Sequence, residues 1–446
     1  MSNNLFNDFD AVSAKQWKQK IQADLKGADY NDALITSTYE GIDIKPFYNR
    51  EDLEDLETSS FISDWTIGET IKATDITTAH ELANEALKGG VEALHFSNLK
   101  SHTDLSAILK NLPKTTVYLD VNDNSLITEN LDQNIFYNYD PINHLNISGN
   151  WHSDMKTDML LFKKLTTQTK TLTINGSVYQ NAGANMVQQL AYLLAQASEY
   201  LHVLHEDISD DKKHKVEIIF KMAIGSHYFF EIAKLRALKQ LWNTLAIEFG
   251  FNATCRIHAV PTKRNKTIYD YNTNMLRTTT ECMSAVLGGA DTVFNLPYDN
   301  LYHLPNAFGN RIARNQLLIL RHESYFDKVK NAADGSYYIE TLTTQLAEKA
   351  LTLFKQIEAS GGYLKQLKEG LIQKKIEESA RKEQEDFNTK KLVLLGTNKH
   401  PNLEDKMKNN IEKNPFLEIK KRKTLIKPII QKRLSENMEI NRLEKE

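Results

Sequence analysis

From about residue 62 to residue 380, short runs of β-branched and apolar residues alternate with amphipathic stretches of helical period. This alternation constrains the fold more than any other feature of the chain. The runs are VEALHF from Val91, TVYLDV from Thr116, HLNIS from His144, KTLTIN from Lys170, KVEIIF from Lys215, ATCRIHA from Ala253, DTVFNL from Asp291 and a weak DKVK from Asp327. Helical stretches lie between most of them; in EIAKLRALKQLW, Ile232, Leu235, Leu238 and Trp242 share one face. Strand–helix alternation of this kind builds a parallel sheet with helices outside it. Eight strands predict closure into a (β/α)8 TIM-type barrel, an α/β fold of ~250 residues. Neither a GxGxxG nor a GxxxxGK[ST] loop supports a nucleotide-binding open sheet instead.

The barrel is read as residues 61–390. Residues 1–60 are expected to form a docking arm. Trp17, Ile21 and Leu25 recur at helical spacing between Ala14 and Leu25, Gly27 closes that helix, and TSTYEGIDIKPFY follows as extended chain. Such an arm is too short to bury a core of its own. After Gly361-Gly362 a charged helical region runs to about residue 387, and residues 391–446 are expected to be a short strand, KLVLLG, and a charged tail broken by Pro415 and Pro428. The basic cluster Lys420 to Lys423 is flanked by acidic residues, so the tail reads as solvated or partner-clasping rather than as a nucleic-acid patch.

A formal net charge of -3 predicts no general attraction to nucleic acid or to an anionic membrane. The two cysteines, Cys255 and Cys282, make no CxxC pair and no disulfide framework, as in a reducing compartment. The opening MSNNLFNDFDAVSAKQW lacks the apolar stretch of a secretory signal, and no run of about 18 apolar residues occurs. A cytoplasmic location is expected.

Barrel chemistry sits at the C-terminal ends of the strands. Those positions begin at Asn175, Lys221, Ala259 and Asn295, and they offer no paired carboxylates, no nucleophile beside a base and no metal triad. His258 ends a strand and reads either as a general base or as a buried histidine held by a backbone partner. His202 and His205, beside Glu206 and Asp207, make a conceivable metal face with no defined third ligand.

Several strings carry a family resemblance. FFEIAKLRALKQLW closely resembles a barrel-helix motif of the adenosylcobalamin-dependent acyl-CoA mutases, methylmalonyl-CoA mutase above all. TYEGIDIKPFY is similar to the N-terminal arm of that family, YDYNTNMLRTTTECMSAV and RIARNQLLILRHES to two of its helices, and GSYYIE, Gly361-Gly362 and LLGTNKHPN complete the run in order. The resemblance covers roughly residues 35 to 403. It implies an isomerase that interconverts methylmalonyl-CoA and succinyl-CoA.

The departures from the family pattern imply that this chain is not the catalytic one. Where the family has GYHMxEAGA, whose histidine assists the rearrangement, this chain has SVYQNAGA, with Ser177 for the tyrosine and Val178 for the histidine. Valine neither donates nor accepts a hydrogen bond. Where the family has RLSFF, Glu217, Ile218, Ile219, Phe220 and Lys221 stand, and a glutamate for an arginine reverses the charge offered to an anionic substrate. SQTSGWS becomes AVPTKRN, so that Lys263 and Arg264 crowd and polarise a cavity that radical chemistry requires to be inert. The segment RPWTIRQYAGF is echoed only by DWTIGETI from Asp64. The family's DxHxxG cobalt-ligand motif is missing, since none of the 13 histidines has an aspartate two positions before it, and the cobalamin-binding domain is expected to be absent.

The resemblance and its departures together imply catalytic function lost at Val178, Glu217 and Ile219, with no cofactor or metal held by this chain. Adenosylcobalamin is then expected on a partner. The leading expectation is a non-catalytic small subunit of a heterodimeric mutase that stabilises a catalytic large subunit through its arm and tail. The alternative is a self-sufficient or split mutase barrel that borrows a separate cobalamin-binding protein. A third is a regulatory or chaperone-like barrel that binds an intact mutase transiently.

Overall fold

A computed structural model describes residues 10–53, 64–122, 124–126, 134–205, 208–418 and 422–446. Eight parallel strands form one sheet: β1 (Thr66–Lys72), β2 (Ala93–Ser97), β3 (Thr116–Asp120), β4 (Asn134–Asn138), β5 (Thr171–Asn175), β6 (Glu217–Ile224), β7 (Arg256–Pro261) and β8 (Thr292–Phe294). Their order is β4-β3-β2-β1-β8-β7-β6-β5, so the last strand in the chain pairs with the first and the sheet curls into a barrel. At the seam, the Thr173 hydroxyl of β5 donates to Asn138 Oδ1 of β4 at 2.9 Å. The expected α/β barrel is the observed one.

Two of its strands differ from those expected. HLNIS lies in a helix, α1 (Pro141–Ser148), because Asp140 caps the Asn143 amide at 2.9 Å and Pro141 occupies the first turn. The apolar spacing is helical too, with Ile142 and Leu145 buried together. DKVK forms turns, with Val329 58% exposed and no face to bury. The strands not anticipated are β1 and β4, so KTLTIN, KVEIIF, ATCRIHA and DTVFNL supply the fifth to eighth strands rather than the fourth to seventh. KLVLLG is not a strand either; it contributes one isolated bridge, Leu395 to Lys399.

Helices follow the strands as the alternation requires. After β5 come α2 (Ser177–Ala182) and α3 (Met186–His205), after β6 α4 (Tyr228–Phe249), after β7 α5 (Thr273–Leu287) and after β8 α6 (Ala307–His322). The long helices α7 (Tyr337–Ala359) and α8 (Leu371–Asn388) pack outside these. The most family-like string lies in α4 and is a buried ionic lock. Glu231 and Lys234 pair at 2.5 Å with no exposure, Glu231 accepts from the Gly225 amide and Lys234 donates to the Ala223 carbonyl, which ties α4 to the end of β6. Arg236 then reaches Glu340 of α7 at 2.6 Å. In α6, Arg314 of the RIARN string grips Glu69 of β1 at 2.9 Å. Removing one partner of such a pair strands a buried charge, at a cost of about 3–5 kcal/mol.

The two ends of the chain behave differently from one another. The N-terminal helix, Ala14–Asp24, carries a Ser13–Gln16 capping box but buries none of its residues, and Trp17 stacks on Phe47 at 4.3 Å. The following hairpin docks on the barrel of the same chain, with Ile42 buried and the Tyr39 carbonyl accepting from Asn185 Nδ2 at 2.9 Å.

The C-terminal segment, expected to be solvated or to clasp a partner, packs in part on its own barrel. Residues 422–446 run as a strap on the C-terminal face of the barrel, over the short helices that follow β4 and β5 and the loop after β7. The Ile429 amide donates to the Asn146 carbonyl at 2.8 Å and the Leu434 amide to the Arg264 carbonyl at 2.9 Å. The strap ends in α9 (Glu436–Leu443). Ile426, Ile429 and Leu434 are buried, and a Cβ on Gly149 would stand 2.7 Å from the Ile426 carbonyl oxygen, so only glycine admits the strap there. Of the basic cluster Lys420 to Lys423, residues 420 and 421 lie outside the described residues. Among the described residues no helix is long and apolar enough to cross a membrane.

Candidate functional site

Side chains alternate in and out along each strand, and the inward ones fill the barrel axis in layers. The middle layer is aromatic and apolar: Ala93, Tyr118, Phe136, Ile219 and Phe294 form one buried cluster from β2, β3, β4, β6 and β8. Tyr118 stacks on Phe136 at 5.2 Å, and His258 meets the Tyr118 ring edge-on at 4.1 Å. His258 is therefore part of the filling. It is buried, and its Nε2 has no hydrogen-bond partner among the described residues, so the backbone partner expected for it is not found. Burial, aided by the charges of Lys221, His95 and Arg256, pushes its pKa well below the ordinary value and keeps the ring neutral.

Above this layer, toward the C-terminal ends of the strands, lies a polar belt that the sequence reading missed. Asp120 of β3 accepts from Lys221 of β6 at 2.8 Å, from His95 of β2 at 2.9 Å and from Asn138 of β4 at 3.1 Å. Thr70 of β1 meets His95 Nδ1 at 3.2 Å, and Thr173 of β5 meets Asn138 across the seam. Six strands are thus joined by side chains. Burial alone would raise the Asp120 carboxyl, but the neighbouring His95 and Lys221 outweigh it and hold the group far below the usual carboxylate range. Burial pushes His95 down, against the pull of Asp120 and with the push of Lys221. The neutral ring then donates through Nε2 to Asp120 and accepts through Nδ1 from Thr70. The belt satisfies its own charges. It presents no nucleophile beside a free base.

The residues singled out in the sequence fall in different places. Val178 is in α2, 1% exposed, in the hydrophobic core behind the strand ends. Ile219 belongs to the aromatic layer. Glu217 does not face a substrate at the mouth: as the first residue of β6 it lies at the N-terminal rim, paired with Arg256 at 3.0 Å. The proposed reversal of charge therefore has no site to act on. Lys221 is inside the barrel, because β6 continues to Ile224. Arg264 lines the cavity under the C-terminal segment but is not free in it; it clamps α8 and that segment together, through Glu383 at 2.6 Å and the Lys432 carbonyl at 2.7 Å.

Asn175 accepts from the Ser177 amide and hydroxyl and so starts α2, while Asn295 donates to the Ala313 carbonyl and to Gln316, both at 2.9 Å. Ala259 is buried. His202 bonds the Ser198 carbonyl, and His205 meets the Lys213 ammonium at 3.2 Å, which a metal ligand would not do. Glu206 and Asp207 lie outside the described residues. Among the described residues no group of three or more His, Cys, Asp or Glu side chains is placed to hold a metal ion.

Comparison with known proteins bears on this barrel directly. A family model described as methylmalonyl-CoA mutase matches residues 131–443. The chain is 35% identical over 441 residues to the methylmalonyl-CoA mutase small subunit of Porphyromonas gingivalis, covering 89% of this chain and 71% of that protein. It is 37% identical over 239 residues to the small subunit of Streptomyces virginiae, covering 53% of this chain and 39% of that one. It is 27% identical over 460 residues to the methylmalonyl-CoA mutase of Cereibacter sphaeroides, covering 86% and 64%. The chain thus spans 71% of the first of these proteins but less than two thirds of the other two. A barrel matched over this extent, with the matching strings serving as its ionic locks, belongs to the methylmalonyl-CoA mutase family.

Proposed function

We propose that this chain is the non-catalytic small subunit of a methylmalonyl-CoA mutase, paired with a large subunit that interconverts methylmalonyl-CoA and succinyl-CoA. The observation that carries this reading is the filled barrel axis. Tyr118, Phe136, His258 and Phe294 occupy the middle layer, each no more than 6% exposed, where an acyl chain would otherwise need open space. Val178, in the core behind the strand ends, supplies no proton donor.

The residues present do not fit adenosylcobalamin. None of the 13 histidines follows an aspartate by two positions. Residues 422–446 lie over part of the barrel face at the strand ends, held by backbone hydrogen bonds to α1 and its cap, to α2 and to the loop after β7. On this reading the partner carries the cofactor. Because the tail is used within the chain, the N-terminal helix, with Trp17 49% exposed, is the stronger candidate for contact with the partner.

Co-expression with a cobalamin-dependent mutase chain of the same organism tests the proposal. The two should co-elute on size exclusion, and succinyl-CoA formation should require the partner and be more durable to heat with this chain present. Turnover by this chain alone, or failure to form a complex, would overturn it.

A further inference from the structure

The mouth of the barrel holds a cavity of about 350 Å³ that the pairing role does not use. It lies beneath the strap and is lined by three lysines from distant parts of the chain. Lys72 is the last residue of β1, Lys263 follows β7, and Lys413 comes from the segment leading to the strap. The ammonium groups of these three have no hydrogen bond or ion pair among the described residues.

The other charges around the cavity are already engaged. Arg264 is spent on Glu383 and the Lys432 carbonyl, and Arg433 pairs with Glu439 at 2.6 Å. Glu436 accepts from the Leu417 and Arg433 amides. Asp299 accepts from His303 and Asn306, and Glu412 from the Leu304 amide. Asn181, also on the wall, uses its oxygen for Thr262 and the Lys263 amide, which leaves its amide N–H groups as donors. What remains is an excess of positive charge: three lysine ammonium groups without an ion pair face the single lining carboxylate of Glu436, with Asp299 and Glu412 only partly offsetting Lys413, together with neutral donors.

The three lysines act on one another. Burial, then the charges of Lys72 and Lys263, bring the Lys413 ammonium down to about 8, and burial with Lys72 lowers Lys263. Like charges crowded around a concave space repel, and an anion seated among them removes that repulsion. Lysine serves as a point charge for phosphate, and the volume suits a small ligand.

We infer that this cavity binds a phosphate dianion, either as free phosphate or as the phosphomonoester of a nucleotide. Titration calorimetry on the full chain at pH 7.5 and constant ionic strength tests it, with inorganic phosphate, AMP and chloride as probes. Phosphate or AMP should bind where chloride does not. Tighter binding of AMP assigns the site to a nucleotide, and equal or weaker binding assigns it to the free ion; both support the site. Lys263→Gln should weaken binding at least tenfold, and Lys413→Gln likewise, whereas Lys156→Gln, at an exposed position outside the cavity lining, should not. A second readout needs no variant: phosphate should slow acetylation of Lys413 by acetic anhydride. No binding beyond chloride, or wild-type affinity in Lys263→Gln, would overturn the inference.

Discussion

Phe294 lays its ring over the backbone of Gly68, so closely that a Cβ at position 68 would stand 2.4 Å from Phe294 Cε1. The ring is 6% exposed and held among Tyr118, His258 and His95, so it has nowhere to swing. Gly68→Ala is therefore expected to destabilise the barrel by about 1–3 kcal/mol through overpacking. Phe294→Leu in the same chain should recover part of that loss. Urea unfolding of the single and double variants measures both. An unchanged midpoint for Gly68→Ala would mean that the aromatic layer is loose, and the account of a plugged axis would fail with it.

The strap depends on a second pair. Arg433 and Glu439 lie 2.6 Å apart with side chains only 5% and 2% exposed. Arg433→Met should leave Glu439 buried without its counter-charge, at about 3–5 kcal/mol. The loss should appear first as local opening, because the strap leaves the barrel's own strand ladders intact. Amide exchange should speed up over residues 422–446 while β1 to β8 stay protected. Uniform acceleration across the whole chain would show instead that strap and barrel unfold as one unit.

How much of this was legible in the sequence depended on where the signal resided. VEALHF, TVYLDV and the later runs are strands because they are apolar and β-branched, and they were readable as such. β1 was not: TIGETIK breaks its apolar pattern with Gly68 and Glu69, whose reasons are Phe294 and Arg314, residues far along the chain. HLNIS misled because a short apolar run fits either period, although the Asp140-Pro141 pair ahead of it was an available helix-start signal. The belt of His95, Asp120 and Lys221 comes from three strands and becomes a unit only when the barrel closes. Glu217 shows the reverse error, since family spacing placed it at the mouth and strand geometry places it at the opposite rim. The strap was hidden by composition, because its charges looked solvated while Arg433, Glu436 and Glu439 are buried partners.

Acid should destabilise the fold in a defined window. His144 and His152 stack at 3.6 Å beside Arg422 and Asp158, and burial, then the charge of His152, brings His144 from its ordinary 6.5 down to about 4. The folded value is the lower one, so between these limits the unfolded chain binds the extra proton. Stability is then full above about pH 6.5 and is lost as pH falls toward 4. His144 is half-exposed, which discounts the effect to roughly 1–2 kcal/mol. Urea midpoints at pH 7.5 and pH 5 should differ in the wild type, and the difference should shrink in His144→Phe. An equal difference in both would remove His144 as its source.

Restoring the histidine at position 178 should not restore chemistry. Val178 packs in the hydrophobic core at 1% exposure, and an imidazole there brings two polar nitrogens into apolar surroundings, so Val178→His should cost about 1–3 kcal/mol of stability. The substrate path is a separate obstacle, because Tyr118, Phe136 and Phe294 remain in the axis whatever stands in α2. The purified variant, given adenosylcobalamin and methylmalonyl-CoA without a partner, should form no succinyl-CoA above background. Turnover in that assay would mean that the axis admits an acyl chain and that one side chain separates this barrel from a catalytic one. The filled axis argues that several changes would be needed together, at Tyr118, Phe136 and Phe294 as well as at Val178.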